Sequence, residues 1–185
     1  GNQNWMRQHL KVSHYNDGNE IPTGLDNSTW ASTTDGAYAV YDDDSANTEA
    51  YGNLYNWYSV NDDRGICPNN WHIPSEIEFS DLIDYLDGEE LAGGKMKESG
   101  HEHWNYFSEQ ITIEANNESG FSGLPAGYRS YQDGEYYPPG NYGYYWSSSA
   151  YNEDRAAGIK LNYDNSEVLL SPDFSNRGGF SIRCL

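Results

Sequence analysis

Positive charge is scarce in this chain: 10 Lys and Arg stand against 29 Asp and Glu in 185 residues, a formal net charge of −19. A field of that sign repels phosphate backbones and anionic bilayers, which excludes nucleic acid as a partner. It can recruit divalent cations or basic surfaces, although solubility of an exported protein is the simpler role. Long apolar runs are missing as well. No stretch approaches the ~18 residues a membrane helix needs, so this segment does not insert into a bilayer. The chain opens at Gly1 with no charged-then-apolar leader, and reads as a trimmed or mature segment whose export signal lies outside it. Cysteine is limited to Cys67 and Cys184. Neither has a Cys or His neighbour at ligand spacing, which argues against structural zinc. Two buried thiols or one long-range disulfide remain, and an acidic composition rich in Tyr, Asn, Ser and Gly favours the bridge of an oxidising exterior.

Aliphatic residues are few too, with 36% of the chain apolar and a mean hydropathy of −0.89. An acidic disordered chain would lack aromatics, whereas this one holds 17 Tyr, 6 Trp and 5 Phe. Each buried ring removes ~150–250 Å² from water, so rings can supply the core that Leu, Ile and Val do not. A single domain over residues 1–185 is expected.

One helix is strongly signalled. Ser75-Glu76-Ile77-Glu78 is a capping box, Pro74 bars an earlier start, and Phe79, Leu82, Ile83 and Leu86 form one apolar stripe that Gly88 ends. A second, short helix from Glu89 is weakened by Gly93-Gly94. Strands are expected at Gly36–Tyr41 and Asn53–Tyr58, with an acidic loop between them, and later at Tyr144–Ser148, around Ala157–Leu161 and at Val168–Leu170. Phe180-Ser181-Ile182-Arg183-Cys184 alternates and should turn Phe180, Ile182 and Cys184 inward. The order is α+β: helix early, antiparallel strands late.

Tyrosine carries the binding signal. Tyr131, Tyr136, Tyr137, Tyr142, Tyr144, Tyr145, Tyr151 and Tyr163 are interleaved with Gly, Asn, Ser and Asp, the mixture of rigid rings and adaptable polar groups found in binding loops. Sugar ring faces also stack on such rings. Some must be core, because either Tyr144 and Trp146 or Tyr145 faces inward on a strand. Tyr136, Tyr137, Tyr142 and Tyr151 are the candidates for exposure. The acidic loop with Asp42, Asp43, Asp44, Asn47 and Glu49 is a candidate calcium site, although solvated carboxylates explain it as well and the helix-loop-helix calcium spacing is absent. Asp62 and Asp63 form a second acidic pair. His101-Glu102-His103 places two imidazoles where a strand would put them on one face, a start for a transition-metal set. With no evident partner among His9, His14 and His72, it reads as an exposed loop. No nucleophile elbow, phosphate loop or paired-histidine helix is present, so an enzyme is not expected.

Several segments together resemble the Fibrobacter succinogenes major paralogous domain family. They are Cys67–Ser75 (CPNNWHIPS), Tyr51–Tyr58, Gly93–Lys97, Glu118–Phe121, Leu124–Arg129, Trp146–Ser148 and Gly179–Cys184, in order along the whole chain. Asn70 stands where the motif has glycine, and Asn tolerates the left-handed conformation at modest cost. The resemblance implies a bacterial exported domain, part of a larger surface protein, with a C-type-lectin-like fold of one or two helices and antiparallel strands. It is also similar to the variable proteins of diversity-generating retroelements. That similarity implies a binding face on Tyr151, Asn152, Asp154, Arg155, Asn162, Tyr163, Asp164, Asp173, Ser175 and Asn176. The Glu-Pro-Asn or Gln-Pro-Asp triplets of calcium-dependent sugar binding are absent, since Ser171-Pro172-Asp173 lacks the residue needed before proline. The expected function is therefore an extracellular or cell-surface ligand-binding or adhesion module for a protein or carbohydrate target. A structural spacer or tip domain is the alternative, and a glycan hydrolase ranks third.

Overall fold

The computed structural model describes residues 2–100, 102–105 and 115–185. Asp26 caps a first helix, α1 (Asn27–Ser32), its carboxylate accepting from the Thr29 amide at 2.8 Å. Strand β1 (Tyr38–Ala39) leads through a 3-10 turn into α2 (Ala46–Tyr51), then returns as β2 (Leu54–Tyr55), antiparallel to β1. Asn56 ends the strand by capping α3 (Trp57–Val60): its side-chain oxygen accepts from the amides of both Ser59 and Ala37. Helices α4 (Glu76–Tyr85) and α5 (Glu89–Met96) follow. A small hairpin pairs β3 (Tyr128–Arg129) with β4 (Tyr136–Tyr137). The largest sheet is antiparallel in the order β5 (Tyr142–Ala150), β6 (Arg155–Asn162), β7 (Val168–Ser175).

The α+β class is as expected, but the described residues hold five helices rather than one or two. The extra ones are short. A six-residue helix such as α1 or α2 forms too few turns to leave a periodic stripe, and tertiary contacts rather than propensity hold it. The expected strands at 36–41 and 53–58 shrink to two residues each, because Asn56 satisfies helix-start amides and breaks the ladder. The acidic loop is largely 3-10 turn and helix. Helix α4 starts at the complete capping box foreseen for Ser75 and Glu78. Asn70 adopts φ 70°, the left-handed geometry of the glycine it replaces.

The three-stranded sheet separates two cores. One face presents Tyr145, Ile159, Leu161 and Val168 to Phe79, Leu82 and Ile83 of α4 and Ala92 and Met96 of α5. Trp146 and Ala156 belong to the other core, packed with Tyr55, Trp57, Ile66, Phe180 and Ile182. Tyr145 and Trp146 are thus both fully buried, on opposite faces of one strand. Through the second core runs the C-terminal segment. Its backbone exchanges hydrogen bonds with Tyr55 at Phe180, with β5 at Ser181, and accepts from Leu10 and Met6 at Ile182 and Cys184.

That position overturns the expected inside-out alternation of 180–184. Phe180, Ile182 and Cys184 are buried as foreseen, but Ser181 and Arg183 are buried as well, since chain lies on both sides. The buried Arg183 charge is solvated by carbonyls: its guanidinium donates to Met6, Arg7, Phe121 and Ser122. Cys184 forms the disulfide with Cys67, their Cα atoms 6.0 Å apart across a sequence separation of 117. No described helix is long and apolar enough to cross a membrane.

Candidate ligand-binding face

Strand pairing sets which side chains remain open on the face opposite α4 and α5. Tyr142 lies opposite Asn162, Tyr144 opposite Lys160, and Lys160 opposite Leu169. Beyond Tyr144 the same face is roofed by Phe180, whose ring stacks on Tyr144 at 4.7 Å, so the open part is the Tyr142 end. The β3–β4 hairpin extends it: Tyr128 and Tyr137, opposite each other across the hairpin, stack at 4.4 Å, and Tyr128 meets Tyr144 edge-on at 5.0 Å. Lys160 places its ammonium 4.4 Å above the Tyr142 ring and 5.5 Å from that of Tyr144. The result is a continuous platform of tyrosine rings, Tyr137–Tyr128–Tyr144–Tyr142, with one cation on it. Tyr137 is 42% exposed and the others half-buried.

Burial sets the electrostatics of this platform. It pushes the Tyr128 phenol up to about 12, reinforced by neighbouring Tyr137 and Tyr142, and raises Tyr144 further. The Tyr128 and Tyr144 phenols therefore stay neutral donors at physiological pH. Burial also lowers Lys160, with Asp164 acting in the opposite sense. Beside the lysine opens a cavity of about 380 Å³, lined by Glu89, Glu90, Lys160, Asn162, Asn165 and Glu167 together with the apolar Val168 and Leu169. No tyrosine ring lines this cavity; Lys160 is the residue that platform and cavity share.

The residues expected to form one face divide into separate groups. Tyr137 and Tyr142 join the platform. Asn162, Tyr163 and Asp164 sit at its cavity end, where β6 turns toward β7. Tyr151, Asn152, Asp154, Arg155 and Asp173 lie at the opposite end of the sheet, roughly 23 Å away along an eight-residue strand rising ~3.3 Å per residue. Tyr151 is 62% exposed there, and Arg155 donates to the Asp173 carbonyl at 3.1 Å. Ser175 and Asn176 are buried and leave the surface altogether: the Asn176 amide group donates to the Glu153 carbonyl, and its backbone carbonyl accepts from Trp57. Tyr136 is turned away from the platform. It flanks the buried Arg129 guanidinium with Trp30 on the other side, at 4.7 and 4.6 Å, and donates to Asp43 at 2.7 Å. Sequence reading missed Lys160 and Tyr128. Lys160 alternates with inward Ile159 and Leu161, which marks it as outward, but no local pattern places it over Tyr142.

The expected calcium loop does not converge. Asp44 accepts from the Ala46 amide, Asn47 donates to the Tyr41 carbonyl, Glu49 pairs with Lys11 at 3.1 Å, and Asp42 takes a left-handed conformation at the surface. These side chains serve the local turn and helix. Asp62 is likewise engaged, held by Arg64. His72 pairs with Glu78 at 2.9 Å. His101 lies outside the described residues. His103 is half-buried and bonded to Glu98 at 2.7 Å, rather than sitting on a free loop. Among the described residues, Glu98, Glu102 and His103 are the one group of three acidic, His or Cys side chains whose donor atoms come together.

No curated protein and no solved structure matches this chain. The Fibrobacter succinogenes major domain matches residues 1–185, end to end, and the chain belongs to that family.

Proposed function

We propose that this domain is a binding module, not an enzyme, and that it takes a carbohydrate on the Tyr128–Tyr137–Tyr142–Tyr144 platform and in the adjoining cavity. The observation that carries the reading is four packed tyrosine rings, partly open to solvent, beside a polar cavity of about 380 Å³. Ring faces cover the apolar side of a sugar, while Asn162, Asn165 and the carboxylates meet its hydroxyls. Glu89, Glu90 and Glu167 outnumber Lys160 in the cavity, so neutral or amino sugars fit and uronic acids are repelled. Display outside the cell agrees with the disulfide and with the family, and a larger surface protein is the natural host.

A glycan array followed by calorimetry tests this. Tyr137→Ala and Tyr142→Ala should each weaken the best glycan roughly tenfold or more, as losing ~1–3 kcal/mol of stacking does, with melting temperature little changed. Hits that ignore both substitutions, or an array with no hit, would remove the carbohydrate reading. A purely structural tip or spacer domain would then be the better account.

A further inference from the structure

We infer that Glu98, Glu102 and His103 form a binding site for a first-row transition metal ion, with zinc as the reference. The site is separate from the tyrosine platform and does not depend on it. One donor atom from each side chain lies within 4.8 Å of the others. A tetrahedral divalent ion bonding imidazole nitrogen and carboxylate oxygen at ~2.0–2.2 Å holds its donors roughly 3.4 Å apart, so rotamer adjustments of about 1 Å complete the set. An imidazole with two carboxylates selects zinc and its neighbours over calcium, which takes oxygen donors alone.

The segment carrying these donors is anchored at both ends to a single carbonyl. The Glu98 amide donates to Gly123 O at 3.0 Å, and the indole of Trp104, next to His103, donates to the same oxygen at 3.0 Å. The His103 ring is also held edge-on by Tyr51 at 5.6 Å. Glu98 and His103 are therefore held in place before any ion arrives.

Charge supplies the driving force. Two carboxylates are drawn together, yet among the described residues neither forms an ion pair with Lys or Arg. Arg7 and Lys11 line the adjoining cavity of about 420 Å³ with Glu98 without reaching it. A divalent cation balances this excess. The cavity leaves room for water or an exogenous ligand at the remaining coordination positions.

The test uses tag-free, disulfide-intact protein stripped with chelator. Calorimetry with zinc chloride should give one ion per chain, and cobalt(II) should develop visible d–d bands on titration. His103→Ala and the exposed Glu102→Gln should each weaken zinc by at least about tenfold, the minimum expected for removing a direct ligand when supporting residues alone cost 10–100-fold. Calcium should give no heat. The inference is overturned by absence of zinc binding, by zinc affinity unchanged in both variants with native circular dichroism, or by calcium binding as tightly as zinc.

Discussion

His9 shows how a buried titratable group ties this fold to pH. Its Nδ1–H donates to the Tyr51 carbonyl at 2.7 Å, and Nε2 lies 3.0 Å from the Tyr145 hydroxyl oxygen. Burial, and next the Arg183 charge, hold its pKa well below the usual imidazole value, against the opposing pull of the Tyr51 hydrogen bond. The unfolded chain protonates His9 near pH 6.5 while the folded chain does not. The unfolded state therefore binds more protons below that pH, and stability present above it is lost as pH falls. Urea midpoints should drop between pH 7 and pH 5, before most carboxylates titrate, and His9→Gln should flatten that drop. An equally steep loss in the variant would show that another group is responsible. Nothing near His9 in sequence announces this role, because its partners lie 42 and 136 residues away. Asn70 is the opposite case: a short polar side chain at a motif glycine predicts a left-handed residue locally, and the backbone adopts it.

At the scale of elements, α5 asks why a helix contains Gly93-Gly94. Propensity alone makes Gly93→Ala stabilising by ~1 kcal/mol. The packing says otherwise: a Cβ at residue 93 would sit 2.1 Å from the Glu167 carbonyl oxygen and 2.6 Å from its carbon, backbone atoms that cannot swing aside. The Gly94 amide donates to the Ser166 carbonyl in the same turn, so helix and turn touch backbone to backbone. We expect Gly93→Ala to destabilise by about 2 kcal/mol through overpacking, read as a lower melting temperature; a rise would mean the turn yields. The same contact explains why this helix was weakly legible in sequence. Its glycines serve a neighbour far along the chain rather than the helix itself. By contrast α4 was fully legible, since its capping box and apolar stripe are local. Helices α1 and α2 fell below the length at which periodicity can speak, and the two-residue strands β1 and β2 owe their existence to pairing with each other.

For the whole molecule the decisive tie is Cys67–Cys184, which closes 117 residues of chain. Chain-entropy reasoning assigns such a loop ~4–5 kcal/mol, so reduced and alkylated protein should unfold at a distinctly lower urea midpoint. If reduction left the midpoint unmoved, the reduced unfolded chain would have to be as confined as the oxidised one. Composition and short-range pattern by themselves determined the broad outline: an acidic, aromatic-cored α+β chain, its principal helix, its late hairpins and the strand around Ile159, although not that Ala156 to Ile159 are buried on both faces. These follow from charge balance and from periods of 2 and 3.6 residues, which any reader of the chain can count. Tertiary structure alone decided the face. It stacked Tyr128 on Tyr137, set Lys160 over Tyr142, buried Ser175 and Asn176, and sent Tyr151 to the far end of the sheet. It also threaded the tail between Leu10 and β5, so that every residue from Phe180 to Cys184 is buried. The physical reason is that a side chain's exposure depends on what covers it, and here the covering segments come from the two ends of the chain.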